Sequence, residues 1–424
     1  MDRYDLPNEP AQNKKRGPVR VSLGVLVICI LLTGIIIFTL TYIPLSIYCQ
    51  KKIYEAYGRF GEFDKLTELA ELYDKQYLYD VDKDLLDEEL TKAYIYGNGD
   101  RFSTYYTAEE WEANRESASG STVGIGVYVS VSEAGEILIA RIMDDSPAQK
   151  AGLLPGDIIT AIDGSKVKTI GYQAAVDLVR GEEGSEVVFE ILRGAETLSI
   201  TIVRSVYSPQ TVYAETVNRE GELYGYIRIV EFLSVQTTSV QFKKAVDDLK
   251  AVGVKGLIFD LRDNGGGDLN AILQILDYLL PEGPIVHMFY AGTEKPITYS
   301  SAAGEIDLPM VVLTNGNTAS ASELFTSALR DYEKAEIVGN KTFGKGCGQT
   351  GMQLSDGSVV FITTFLYNPP FSESYDGIGI YPDHNVDLAE KWQNTNLFLV
   401  PHEQDDQLRK AIDVIAAKAA GAQS

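Results

Sequence analysis

The sequence predicts a mixed α/β protein behind an N-terminal transmembrane helix, and three observations predict it. Short apolar runs at Gly256–Asp260, Met310–Leu313 and Ala335–Gly339 read as buried strands, and helical patterns lie between and after them. Residues 120–205 carry strand-like alternation with turn signals between the runs. Val21–Tyr48 contains no charged side chain, and as a helix it is long enough to cross ~30 Å of hydrocarbon.

Composition bounds the function classes. The chain has 424 residues, which corresponds to two or three domains at ~100–200 residues each. With 45% hydrophobic residues it can bury a sizeable core. A net charge of −23 argues against nucleic acid as a partner, because phosphate binding needs clustered Lys and Arg. The 3 cysteines, Cys29, Cys49 and Cys347, form no Cys-x-x-Cys pattern, and one lies inside the apolar stretch. Neither a disulfide framework nor a metal site follows from them.

Residues 1–20 form a polar tail with Arg3, Lys14, Lys15, Arg16 and Arg20, and residues 21–48 the transmembrane helix. A cleaved signal peptide has a shorter apolar core, ~7–15 residues, and a small-residue cleavage site, which this stretch lacks. The basic tail outweighs Lys51, Lys52 and Arg59 on the far side, which places the N-terminus in the cytoplasm and the remainder outside it. Cys49 follows a poor lipobox.

Residues 53–117 read as a helical region, with Leu66, Leu69, Ala70, Tyr73, Leu85, Leu86, Leu90 and Ala93 at helical spacing. The segment Asp100-Arg-Phe-Ser-Thr-Tyr-Tyr106 that follows reads as packing rather than chemistry.

In residues 120–205, strands are expected at Val123–Val131, Ile137–Ile142, Ile158–Ile162, Val187–Leu192 and Leu198–Val203. A short helix ends at Gly152 and a second spans Gly171–Val179. Residues 206–400 form the main α/β domain. Its expected elements are a strand at Leu223–Val230, a helix at Ser239–Leu249, and a hairpin arm and strand at Asp356–Thr364. Residues 401–424 hold a terminal amphipathic helix, Asp405–Ala419.

Two stretches carry chemistry. After the Met310–Leu313 strand comes a small-residue turn and then a helical pattern, Ala321–Arg330. Such a turn exposes a side-chain oxygen beside outward-pointing N–H groups at a helix start. Ser320 and Ser322 both sit there, the second one turn position deeper and better suited to capping or packing. A serine needs a base. None of the 3 histidines, His287, His384 and His402, lies in a glycine-rich, small-residue context. Lys345, in Phe343-Gly-Lys-Gly346, does, and burial can lower a lysine pKa far enough for it to serve. Lys341 precedes the glycine turn and reads as solvated.

With Thr318-Ala-Ser-Ala-Ser-Glu-Leu324 and Lys341-Thr-Phe-Gly-Lys-Gly346, the chain resembles the C-terminal (tail-specific) processing peptidases, PDZ-containing serine proteases with a Ser–Lys dyad. The resemblance implies Ser320 as nucleophile, Lys345 as general base and Gln349 as the group that orients the lysine. It implies a crotonase-like (ClpP-like) core for residues 206–400. Asp260-Leu-Arg-Asp-Asn-Gly-Gly-Gly267 resembles the family's oxyanion loop, so Gly266 or Gly267, together with Ala321, would donate N–H groups to the oxyanion. Gly265 stands where proline is frequent. Asp376-Gly-Ile-Gly-Ile-Tyr-Pro-Asp383 resembles the family's closing segment.

Residues 120–205 likewise resemble a PDZ domain. Gly124, Ile125, Gly126 and Val127 would form the nest for a peptide's terminal carboxylate, and Arg180 resembles an arginine that couples peptide binding to activity. The expected partners are proteins or peptides with free, apolar C-termini, and the membrane. A homodimer or a docking regulatory protein stays open, and no metal or organic cofactor is needed. The competing expectations are a catalytically silent membrane-bound PDZ scaffold and an acyl-CoA enzyme on the same core.

Overall fold

The computed structural model describes residues 22–60, 63–112, 122–132 and 134–421. The polar tail expected at residues 1–20 lies outside them. The chain divides into two compact units, residues 1–88 and 89–424.

The first unit holds α1 (Leu23–Phe60) and α2 (Asp64–Gln76). The apolar stretch of α1, Leu23–Cys49, is by length and composition capable of crossing a membrane. Thr39, Thr41 and Ser46 bond their hydroxyls back to the carbonyls of Ile35, Ile37 and Ile43, so these polar groups are satisfied within the helix. The sequence suggested that the span ends at Tyr48 and a separate helical region starts at 53. Instead α1 continues without a break, because nothing between Cys49 and Phe60 is a glycine or proline stop except Gly58. A third helix, α3 (Lys83–Gly97), crosses the boundary between the units.

The second unit begins with β1 (Thr104–Tyr106) and then a small β module. A two-stranded ribbon pairs β2 (Thr122–Gly124) with a strand at Ser205–Tyr207. The main sheet runs β3 (Val127–Val131), β4 (Ile137–Ile142), β5 (Ile158–Ile162), then strands Glu186–Arg193 and Glu196–Val203, with β3 at an open edge. Ile137, Ile139, Ile159, Ile162, Phe189 and Ile191 form its core beneath α4 (Pro147–Lys150), α5 (Val167–Ile170) and α6 (Tyr172–Val179). Ser146 caps α4 by accepting the Gln149 N–H at 3.2 Å, with Pro147 in the first helical position. The single strand expected at Val123–Val131 is two, because Ile125-Gly126 breaks it. Gly126 has φ +75°, and a Cβ there would meet Ser146 Cβ at 2.4 Å.

The larger part is a six-stranded sheet. Its order is Val212–Arg219, Glu222–Ile229, Leu257–Asp260, Met310–Thr314, Ala335–Gly339 and His384–Asn385, parallel from the second strand onward. Leu257–Asp260 and Met310–Thr314 are buried on both faces, as central parallel strands must be. Their residues alternate between two cores. Leu257, Phe259, Met310 and Val312 face α7 (Val240–Ala251), α8 (Leu269–Leu279) and α9 (Ala321–Asp331). Ile258, Val311 and Leu313 face α10 (Asp406–Gly421). On the first side Phe325 of α9 packs edge-on against Phe242 and Phe259, with centroids 6.3 and 5.2 Å away. A second sheet joins β1, Gly283–Tyr290, Ile297–Ser301, Cys347–Gln353 and Val359–Asn368.

Candidate active site

The parallel strands Leu257–Asp260 and Met310–Thr314 deliver their following loops side by side, which is where open α/β sheets place their sites. The first loop is pinned from below. Arg262 is fully buried and reaches both oxygens of Asp260 (2.9 and 2.7 Å), both of Asp405 (3.0 and 2.8 Å) and Gln407 (2.9 Å). The Arg262 guanidinium holds the Asp260 carboxyl ionised against the cost of its burial. Asn264 then ties three parts together. Its amide donates to Ile229 O (2.8 Å), its Oδ1 accepts the Gly266 N–H (2.9 Å), and its carbonyl accepts the Ala319 N–H (3.0 Å).

The second loop ends at Ser320, the residue before α9. Its backbone is at φ +59°, ψ −121°, a left-handed conformation that costs a serine about 1–3 kcal/mol. Gly266 packs directly on this turn. A Cβ on it would meet Ser320 Cβ at 2.8 Å and Ala321 N at 2.9 Å, so only glycine lets the first loop come so close. The Ala321 and Gly267 amides make no hydrogen bond among the described residues, whereas the Gly266 amide is taken by Asn264. Of the three amides expected at the oxyanion, only that of Gly266 is thus bonded, and Gly266 packs on the Ser320 turn while Gly267 packs on the Phe232 carbonyl.

Glu323, fully buried in the first turn of α9, holds the next element in place. Its Oε2 accepts the N–H groups of Ser320 (3.0 Å) and Lys345 (2.8 Å). Its Oε1 accepts from Thr342 Oγ1 (2.5 Å) and from the Gly344 N–H (2.7 Å). Burial raises its pKa, and these four bonds work the other way. The Ser320 turn and the Lys345 loop are therefore carried by one carboxylate. The pattern Ser-Ala-Ser-Glu signals a helix cap in sequence; the reach across to residues 342–345 has no local signal.

Ser320 Oγ lies 3.2 Å from the hydroxyl of Tyr367, which donates to the Lys345 carbonyl at 2.7 Å. Tyr367 is buried and its pKa is pushed up by that burial. The Lys345 ammonium does not bond Ser320 here. Its Nζ lies 4.7 Å from the centre of the Phe102 ring. Burial lowers the Lys345 pKa, against the Cys347 thiol and the Asp100 carboxylate, which raise it. Gln349 is likewise not bonded to the lysine among the described residues. Its amide donates to Thr363 Oγ1 at 3.0 Å and lies 3.7 Å from Cys347 Sγ. Ser322 is fully buried and Lys341 is exposed over the Tyr381 ring, as their expected roles require. The histidines are occupied elsewhere, with Thr298, Glu336 and Glu215.

In the β module, Gly124 closes β2 and Ile125 and Gly126 turn the chain into Val127 of β3. The Ile125 and Gly126 carbonyls accept from Ala148 and Met143. Arg180 is brought to none of these groups. It stands exposed at the end of α6, with Asp177 3.9 Å away. The module meets the core elsewhere, where Phe398 lies between Arg141 of β4 (5.1 Å) and Arg228 (4.6 Å) and beside Tyr128 and Tyr213.

A serine on a strained strand-to-helix turn, open backbone amides beside it and a lysine on the adjoining loop, on an α/β core with a PDZ module, define a serine-type peptidase. The model of peptidase family S41 matches residues 223–386, and a PDZ domain model matches residues 138–193, a stretch that leaves Gly124–Val127 outside. The carboxy-terminal processing protease CtpA of Bacillus subtilis is 33% identical over 332 residues, covering 78% of this chain and 70% of that protein. A carboxy-terminal-processing protease of Bartonella bacilliformis is 32% identical over 360 residues, 82% of this chain and 80% of its own. A solved structure of a Bacteroides fragilis protein assigned to the S41 proteases matches the fold with a TM-score of 0.58 at 19% identity, over 77% of this chain and 90% of that one. The chain belongs to peptidase family S41. It is a carboxy-terminal processing serine protease with a PDZ domain.

Proposed function

We propose that the protein is a membrane-anchored endopeptidase that hydrolyses peptide bonds with a Ser320–Lys345 dyad. The observation that carries this reading is the Glu323 carboxylate, which joins the strained Ser320 turn to the Lys345 loop. Ser320 Oγ forms the bond to the substrate carbonyl carbon as its proton passes to neutral Lys345 Nζ. The open amides of Gly267 and Ala321 receive the negative charge that develops on the carbonyl oxygen. Collapse of the adduct breaks the C–N bond, and Nζ returns the proton to the leaving amine. A water then attacks the acyl carbon as Nζ takes its proton, and Nζ returns that proton to the departing Ser320 Oγ, which frees the acid and restores the serine. Gln349 orients Nζ by accepting with its Oε1, while its Nε2 stays on Thr363 Oγ1.

Substrate C-termini enter through the PDZ domain. The free edge of β3 accepts an extended peptide as an added strand, and the Gly124–Val127 turn holds its carboxylate. The Leu23–Cys49 span of α1 anchors the chain, with the basic tail in the cytoplasm and the protease outside. The test is labelling of the detergent-solubilised full chain with a fluorophosphonate in the presence of a peptide with an apolar C-terminus. Labelling that maps to Ser320 and disappears in Ser320→Ala supports the reading. No labelling under any condition points to a silent scaffold.

A further inference from the structure

The segment that sequence assigned to packing, Asp100–Ser103, lies against the lysine. Phe102 presents its ring to Lys345 Nζ at 4.7 Å, and Arg101 stacks on the same ring at 4.7 Å and on Phe343 at 5.0 Å. The Asp100 carboxylate accepts the Ser103 hydroxyl (2.6 Å) and the Phe102 N–H (2.9 Å), which fixes the turn. Ser103 is buried, and its Oγ accepts the Thr363 N–H (3.4 Å). Thr363 Oγ1 in turn holds the Gln349 amide, 3.0 Å away. A short turn that precedes the PDZ domain therefore touches the side chains of Lys345 and, through Thr363, Gln349.

We propose that Phe102 and Asp100 are positioning residues for the Ser–Lys reaction: the aromatic face, on the turn that Asp100 fixes, holds Lys345 as an ammonium, aside from Ser320. The proposal rests on Lys345 being the base. An aromatic face attracts an ammonium and gives nothing comparable to a neutral amine, so it stabilises the form that cannot take a proton. Asp100 acts in the same sense. Burial raises the Asp100 pKa, but its hydrogen bonds from Ser103 and Phe102 outweigh that and bring it to about 2, so the carboxylate stays charged throughout the working range. The other groups facing Lys345 are the Cys347 thiol, raised by burial, Asp376, which accepts the Gly346 N–H at 2.8 Å, Glu323 at the Lys345 backbone, Arg101 and the Tyr367 hydroxyl. Among these, Arg101 alone carries a charge that opposes the ammonium.

The sign follows directly. A base must be neutral, so activity rises with pH through the Lys345 pKa, and loss of either support moves that rise to lower pH. Phe102→Leu and Asp100→Asn are each expected to shift it down by about half to one pH unit, the size of one aromatic–cation contact. Phe102→Trp restores the aromatic face and keeps the parent profile. The readout is competitive acetylation of Lys345 by acetic anhydride across pH, followed by mass spectrometry on the full chain in detergent, which needs no turnover. It is paired with the pH dependence of fluorophosphonate labelling. A Lys345 midpoint that stays in place in both folded variants overturns the proposal. Full labelling of Lys345→Ala would instead overturn the dyad reading itself, whatever the midpoints do.

Discussion

Glu323 Oε2 accepts the backbone N–H of Ser320 at 3.0 Å and, with the same oxygen, that of Lys345 at 2.8 Å. The Ser320 turn and the Lys345 loop are thus joined by one buried side chain rather than by direct contact of the serine hydroxyl and the lysine amine. Glu323→Ala strands four donors, of which those of Thr342 and Gly344 are buried and each worth about 1–3 kcal/mol when unsatisfied. A loss of at least about 3 kcal/mol in denaturant unfolding, with labelling of Ser320 lost, is expected. Glu323→Gln keeps the acceptor oxygen but not both, and is expected to retain the fold with labelling slowed at least tenfold.

Ser320 sits at φ +59°, where glycine is at ease and other residues are not. Ser320→Gly is therefore expected to be more stable than Ser320→Ala by about 1 kcal/mol, although both remove the proposed nucleophile. Equal unfolding midpoints for the two variants would show that the turn is unstrained.

Tyr367 occupies the Ser320 hydroxyl while it donates to the Lys345 carbonyl. Tyr367→Phe leaves that carbonyl without its donor and costs about 1 kcal/mol of stability. It also frees Ser320, so fluorophosphonate labelling is expected to speed up several-fold in kinetics run beside the parent. Slower labelling would mean that the phenol helps the nucleophile instead of detaining it.

Much of this site was legible in sequence, and the limits have a physical pattern. The strands Leu257–Asp260 and Met310–Thr314 are read easily because both faces are buried and the run is apolar throughout. Ile297–Ser301 is not, since four of its five residues are exposed and its side chains do not alternate. Leu269–Leu279 follows directly on the glycine run, and its start is marked only by Asp268, which caps it by accepting the Ala271 N–H at 2.7 Å. Ser320 and Lys345 stand in local motifs. Tyr367, Phe102 and Asp100 reach the site only through the pairing of distant strands, such as Thr104 with Phe361 and Phe289 with Leu366. The same holds for Gln349, whose spacing suits an orienting role but whose amide rests on Thr363.

Arg180 shows the converse case, a motif position that the fold leaves in solvent. One PDZ-to-core contact is the stack of Arg141, Phe398 and Arg228, and the Nε atoms of both arginines are buried without a hydrogen-bond partner. Desolvated cation–aromatic contacts of this type are worth about 2 kcal/mol or more. Phe398→Ala is expected to loosen the PDZ domain on the core, seen as faster amide exchange at residues 208–214 than in the parent. Arg180→Ala is expected to leave exchange there unchanged. The opposite ranking would place the coupling at α6.

Burial lowers the Lys345 pKa, so hydrolysis is expected to rise with pH through a midpoint below the ordinary lysine value of ~10.4. A single measurement puts the central claim at risk most directly: cleavage of an unfolded protein by the full chain in detergent, with a peptide of apolar C-terminus present, beside Ser320→Ala and Lys345→Ala. The Ser–Lys account predicts cleavage by the parent and a fall of at least a thousandfold, on the order of 4 kcal/mol, in both variants. Cleavage that survives in either variant would contradict it.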